Sequence, residues 1–331
     1  MNDPRHIDPS PSPLWPTRRP IQRVAGLTRD EFERRFLTSN GGAGEPVIVT
    51  DALDRWPAKA WTLDHFRRRF GDLKVRAWCR SSRRKPYQPV GYEMPLAAYI
   101  DYVERGDLTK PPAGAVAVSE ATELESAMGT LYWYENLGRP EFAPLLDEFD
   151  NDLYFIDNLQ ARLRGDWKRA IFYFPFSNIF IGGPGTCVDM HKDYWSSHTV
   201  IAEIVGRKHA ILFPPGDAPY VHNAAGEPID PRNVDPAEFP AYAKATLYEG
   251  TLNGGEMLFM PPDWYHDVLG LEPSLAIGMN FFTVHNIGEY LPNLLSYPLQ
   301  LYSVLDKHPT LRAQLHDAEG RLLPVAPATH G

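Results

Sequence analysis

The sequence predicts a mainly β fold with flanking helices. Its core is an antiparallel sandwich or barrel, with an N-terminal α/β elaboration before it and C-terminal helices after it. Three observations predict this. From about residue 150 onward, short β-branched and aromatic runs alternate with Gly- and Pro-rich breaks such as GGPG (182–185), PPGD (214–217) and NGGE (253–256). Before that point, amphipathic helical stretches alternate with short strands. After residue 288, apolar residues recur at helical spacing. A chain of 331 residues that is 43% hydrophobic can bury one large core. Four regions follow: a proline-rich extended arm (1–22), the α/β elaboration (23–150), the β core (151–284) and the helical appendage (285–331).

Residues 27–37 (LTRDEFERRFL) read as a helix, with Thr28 as N-cap and Glu31 completing a capping box. Residues 46–50 (PVIVT) form a strand. A second helix starts at Thr62 and ends near Phe70, where Gly71 suits the left-handed position after a helix C-terminus. Leu73 to Trp78 alternates as a strand, and Pro95 to Glu104 is a third helix. Strands are then expected at 153–156, 170–174, 177–181, 197–205, 209–213, 256–260 and 276–284. In the appendage, Leu291, Leu294 and Leu295 form one apolar face and Leu301, Tyr302 and Leu305 another beyond Pro298. These faces suit homodimerisation.

Composition narrows the function. No run of eighteen apolar residues predicts a transmembrane helix, and the N-terminus lacks the apolar segment of a secretory signal. Two cysteines, Cys79 and Cys187, are no disulfide framework, which points to a reducing cytoplasm. A net charge of −9 makes a nucleic-acid partner a poor expectation. The local exception is RSSRRK (80–85), either a solvated loop or an entrance patch for an anionic substrate.

The chemistry concentrates in two blocks, GTCVDMHKDYW (185–195) and GEMLFMPPDWYHDV (255–268). Side chains two apart on an extended chain share a face, so His191 and Asp193 can bind one ion from a single strand edge. His266 follows an apolar strand and a proline break, which sets it just past a strand at a barrel mouth. Two imidazoles and one carboxylate with open positions suit non-haem Fe(II) that binds substrate and oxygen. Lys208 begins an apolar strand, and a lysine pointing inward there needs an anionic partner.

Residues 177–215 and 255–282 resemble the core of JmjC-type, cupin-like Fe(II)/2-oxoglutarate oxygenases, in the style of the asparaginyl hydroxylase of hypoxia-inducible factor. The leader from RDEF through GEPVIVTDALDRWPAKAWTLDHFRRRFGD resembles the same family, so the likeness spans roughly residues 24–284. It implies a double-stranded β-helix (jelly-roll) core, with Fe(II), 2-oxoglutarate and O2 as cofactor and cosubstrates. His191, Asp193 and His266 would be the iron ligands and the catalytic centre. Lys208 and Tyr154 would bind the distal carboxylate of 2-oxoglutarate, with Asn280 and Thr199 beside the cosubstrate. Two departures stand out. Val188 occupies the place of a common hydroxyl residue, for which Thr186 would compensate. The interval from His191 to Lys208, 17 positions (208 − 191), is longer than usual, and the excess in YWSSH would make His198 the pocket residue in place of Thr199. Tyr194 and Trp195 either line the substrate side or pack at the barrel rim.

The resemblance implies hydroxylation of a C–H bond in a protein or peptide residue, an amino acid or a natural product. A metal-dependent cupin isomerase or hydrolase, and a non-catalytic cupin-fold binding protein, are the other classes.

Overall fold

The computed structural model describes residues 16–79, 89–105, 107–120, 130–150, 152–162 and 177–289. The expected strand at 170–174, the RSSRRK segment and the dimerising faces beyond residue 289 lie outside these residues.

Fourteen strands are described: β1 (Thr17–Pro20), β2 (Gln22–Val24), β3 (Val47–Val49), β4 (Lys74–Cys79), β5 (Val90–Pro95), β6 (Val116–Ala117), β7 (Tyr132–Asn136), β8 (Ser177–Gly182), β9 (His198–Val205), β10 (Arg207–Phe213), β11 (Thr246–Asn253), β12 (Met257–Met260), β13 (Tyr265–Gly270) and β14 (Ser274–Phe281). They form two sheets, ordered β1-β11-β10-β13 and β2-β3-β12-β9-β14-β8-β7-β4-β5-β6. An isolated bridge pairs His191 with His266 and adds a further extended segment beside β13.

From β8 onward the chain changes sheet at almost every turn, which winds it into a double-stranded β-helix: β8, the His191 segment, β9, β10, β11, β12, β13, β14. Each crossing must be tight. Gly206 alone joins β9 to β10, with φ +86, and a Cβ there would lie 2.3 Å from the Pro273 carbonyl oxygen. Only glycine adopts that conformation without strain.

The alternation of β-strand side chains divides the molecule into layers. Outward residues of β9, β12 and β14, including Ala202, Phe259 and Ile277, pack into one buried cluster with the N-terminal helices. Inward residues close one end of the barrel, where Leu212, Leu258, Met260 and Trp264 pack together. The Trp264 indole N–H donates to the Ala43 carbonyl at 2.9 Å, so burying it leaves no donor unpaired. The other end of the barrel interior opens into a cavity in which His191, Asp193, Thr199, Lys208, His266 and Asn280 stand among apolar and aromatic side chains.

The N-terminal region joins the barrel edge to edge. β3 pairs with β12, and β7 pairs with β8. Part of the expected arm is also ordered: β1 runs parallel to β11 and β2 parallel to β3. Helix α1 (Arg29–Phe32) continues as a π-turn over Glu33–Leu37. Thr28 caps it by accepting from the Glu31 amide, but the Glu31 carboxylate pairs with Arg35. Helices α2 (Leu63–Phe70) and α3 (Leu96–Arg105) stand within a residue or two of expectation.

Three expectations are corrected. Gly71 has φ −57, not a left-handed conformation. Its role is close approach, since a Cβ would meet the Arg67 carbonyl oxygen at 2.3 Å and the Ala97 methyl at 3.2 Å. Residues 153–156 form a turn, because their apolar side chains Leu153, Phe155 and Ile156 are buried without strand partners. His266 follows the strand β12 and the proline break as expected, but it lies within a further strand, β13, and not in the connection between strands.

Candidate metal centre

His191, Asp193 and His266 come together with one ligand atom from each within 4.8 Å of the others. The His191 and His266 imidazole Nε2 atoms lie 3.9 Å and 4.0 Å from Asp193 Oδ1. The backbones of the two histidines exchange hydrogen bonds, His191 N to His266 O at 3.2 Å and His266 N to His191 O at 2.7 Å. A separation of 75 positions (266 − 191) is thereby closed by strand pairing.

Each ligand is oriented by a partner on its far side. His191 Nδ1 faces the Asp189 carbonyl at 2.8 Å, and His266 Nδ1 faces the Trp264 carbonyl at 3.2 Å. A carbonyl can only accept, so the Nδ1 atoms carry the protons and the Nε2 lone pairs face the common centre. Asp193 is held in the same way. Its Oδ2 accepts from Thr199 Oγ1 and from Asn280 Nδ2, the latter at 3.0 Å, leaving Oδ1 toward the histidines. Asn280 Nδ2 also reaches Thr199 Oγ1 at 2.8 Å and Ser197 Oγ at 3.0 Å.

The ionisation states suit metal binding. Burial lowers the His191 pKa to about 4, helped by the neighbouring His266, so the imidazole is neutral at pH 7. Burial works to raise the pKa of Asp193, but the two imidazoles and the Thr199 and Asn280 donors outweigh it and hold the carboxyl below its ordinary value. Two imidazoles and one carboxylate converging on one point fit a divalent cation. No fourth His, Cys, Asp or Glu belongs to the group among the described residues, so further coordination positions face the cavity.

That cavity has a volume of about 490 Å3 and is lined by the three ligands, Thr199, Asn280 and Lys208, with Tyr132, Tyr134 and Phe180 on the β7–β8 side. Its lining follows strand alternation: Thr199 and Ile201 on β9, Gly278 and Asn280 on β14, His266 and Val268 on β13. Lys208 lies in the cavity with its side chain only 4% exposed, and its partner is internal: Glu203 Oε2 at 3.0 Å. An external anion was the expected partner.

The other expected residues divide. Thr199 and Asn280 stand beside the metal ligands, both bonded to Asp193. Tyr154 is not among the cavity-lining residues, and its hydroxyl donates to Asp51 at 2.5 Å. Tyr132, and not Tyr154, acts on the Lys208 ammonium, from β7. Its sequence signal was the alternating YWY of residues 132–134, where Trp133 alone is fully buried. His198 faces away from the cavity, between Phe259 and Phe281, with Nε2 3.2 Å from Thr283 Oγ1. The long HxD-to-lysine interval explains why. Its excess is absorbed by a tight turn at Tyr194–Ser196, where Trp195 (φ 65) and Ser196 (φ 49) adopt left-handed conformations. Thr199 therefore keeps its inward place. Tyr194 and Trp195 line the cavity, and Tyr194 is 78% exposed at its mouth. Thr186 does not compensate for Val188. Its hydroxyl donates to the Gly183 carbonyl at 2.7 Å, while Val188 itself lines the cavity.

On the outer face of β13, Asp267 forms a fully buried ion pair with Arg232 at 2.6 Å. Arg232 also donates to the His209 carbonyl at 3.0 Å, which ties the segment covering the second sheet to β10 and β13. Neither arginine nor aspartate was singled out in the sequence, and their separation of 35 positions (267 − 232) gives no local signal.

A double-stranded β-helix with a His-Asp-His centre in its open end is the architecture of a JmjC-type cupin of the Fe(II)/2-oxoglutarate oxygenase class. Residues 30–286 match the cupin-like domain family, and the chain belongs to it. Among curated relatives, it is 24% identical over 276 residues to human tRNA wybutosine-synthesizing protein 5, covering 80% of this chain and 78% of the relative. It is 32% identical over 269 residues to the chicken (Gallus gallus) protein of that name, covering 80% and 77%. It is 24% identical over 287 residues to chicken 2-oxoglutarate and iron-dependent oxygenase JMJD4, covering 81% and 61%. The chain spans about half to three fifths of the JMJD4 and plant demethylase relatives. Among the described residues, no helix is long and apolar enough to cross a membrane.

Proposed function

We propose that the protein is an Fe(II)- and 2-oxoglutarate-dependent hydroxylase acting on a protein or peptide residue or on an amino-acid-like small molecule. One observation carries this reading: a three-ligand centre with open positions shares its cavity with a buried lysine. A buried cation beside an open metal centre suits a cosubstrate with a distal carboxylate, which favours this reading over isomerase or hydrolase chemistry. The net charge of −9 favours a non-nucleic-acid substrate.

With the ion and 2-oxoglutarate bound, the centre would couple oxidation of the cosubstrate to hydroxylation, so that substrate R–H, 2-oxoglutarate and O2 give R–OH, succinate and CO2. The chain's own residues do the positioning. His191, Asp193 and His266 hold the ion, with Thr199 and Asn280 fixing the rotamer of Asp193. Lys208 supplies a charge for the distal carboxylate, supported by Tyr132. Tyr194 and Trp195 flank the entrance and orient the substrate.

The test is stoichiometric release of succinate across peptide, amino-acid and metabolite pools, followed by mass spectrometry for a one-oxygen gain. Asp193→Ala should abolish succinate formation while the fold persists. Lys208→Ala should raise the 2-oxoglutarate requirement about ten- to a hundredfold, the worth of a charge-assisted hydrogen bond. Metal-dependent turnover of a substrate without succinate would replace this reading with isomerase or hydrolase chemistry.

A further inference from the structure

Glu203 lies on the inward face of β9, four residues beyond Thr199, and is fully buried behind Lys208. Lys208 lines the cavity, whereas Glu203 is not among the lining residues. The Lys208 ammonium is 3.0 Å from Glu203 Oε2, yet among the described residues neither carboxylate oxygen has an aligned hydrogen-bond donor. Among the described residues, the Lys208 ammonium is the one cation paired with this carboxylate. The groups facing the pair are few. Tyr132 acts on the ammonium from β7, with Cys187 next to it in turn, and the Phe180 ring of β8 lies 6.0 Å from Nζ. Opposite Glu203 on β14 is Ala276. The nearby Glu256 carboxylate is engaged by Arg23 and Asn253.

In the ligand-free cavity the pair sums to zero charge. A carboxylate docking on Lys208 would leave two anions sharing one cation away from water, and like charges in such a site do not both ionise. Resting on the 2-oxoglutarate reading, we propose that Glu203 is a built-in competitor for Lys208, and that docking of the cosubstrate's distal carboxylate requires Glu203 to take up one proton. The proton comes from solvent and converts the Glu203 carboxylate to the neutral acid, while Lys208 transfers its ion pair to the cosubstrate. Glu203 is thus a positioning residue for the anchor. Its environment is already arranged for the change, because burial raises its pKa to about 7 against the lowering effect of Lys208.

The sign follows directly. Well below pH 7 Glu203 is mostly protonated and docking takes up little. Above pH 7 each docking event takes up a proton, so affinity falls about tenfold per pH unit. The test is calorimetric binding of 2-oxoglutarate to Mn(II)-loaded full-length protein, without turnover, from pH 6 to 8.5 in buffers of different ionisation enthalpy. Wild type should approach one proton taken up at pH 8.5 and near zero at pH 6. Glu203→Gln should show no uptake at any pH, a flat affinity profile, and roughly tenfold or more tighter binding than wild type at pH 8.5. Subtracting the variant also removes any other titrating group. Measurable wild-type binding at pH 8.5 without proton uptake would overturn the proposal and leave the 2-oxoglutarate reading standing, whether or not the variant folds. Equal uptake by wild type and Glu203→Gln would overturn it as well. Absence of binding by wild type at every pH would overturn both.

Discussion

Asn280 offers the sharpest test of how the metal centre is held. Its side-chain amide donates to Asp193 Oδ2 at 3.0 Å and also reaches Thr199 and Ser197. Asn280→Ala removes one of the two donors that fix the ligand carboxylate, and Thr199 remains. A hydrogen bond to a charged group is worth about 1.5–3 kcal/mol. Part of that is regained by water entering the open cavity, so metal affinity should fall about tenfold to a hundredfold. Loss of the donor also lets the Asp193 pKa rise, so the deficit should grow as pH falls. The assay is anaerobic Fe(II), or Mn(II), titration of wild type, Asn280→Ala, Thr199→Val and the double variant. The two donors act on the same Asp193 oxygen, so the double variant should depart from additivity. A metal affinity for Asn280→Ala within twofold of wild type would refute the clamp. If that variant instead lost 2-oxoglutarate affinity alone, Asn280 would belong to the cosubstrate.

Two further predictions concern stability. Arg232→Ala removes the cation from the buried Asp267 carboxylate beside the metal centre, and should cost about 3–5 kcal/mol in urea unfolding. A loss below about 1 kcal/mol would show the pair to be solvated. His198 is neutral and fully enclosed, with burial depressing its pKa to about 3. Its contribution is complete above the unfolded value near 6.5 and is lost as pH falls toward 3, about 3 kcal/mol by pH 4. Stability measured from pH 7 to 4 should fall less steeply in His198→Gln, and parallel slopes would remove the residue from the acid response.

The sequence by itself determined the local matters. Glycine and proline breaks marked the strands of the barrel, and i, i+2 spacing placed His191 and Asp193 on one edge. The second histidine was legible because its setting, an apolar strand followed by a proline turn, is a local pattern. A charged residue inside an apolar strand marked Lys208, and the same signal in HTVIAEIV marks Glu203, whose partner is five positions on (208 − 203). Only the tertiary structure decided which tyrosine meets Lys208: β7 carries Tyr132 to the cavity, whereas Tyr154 lies in a turn and bonds Asp51. It also decided that Thr199, and not His198, faces the ion. A period of two turns a one-residue difference into a change of face, and the left-handed turn at Trp195 and Ser196 sets that parity. The Arg232–Asp267 pair was invisible because Arg232 lies in the irregular segment between β10 and β11, and only the packing of that segment over β13 brings it to Asp267.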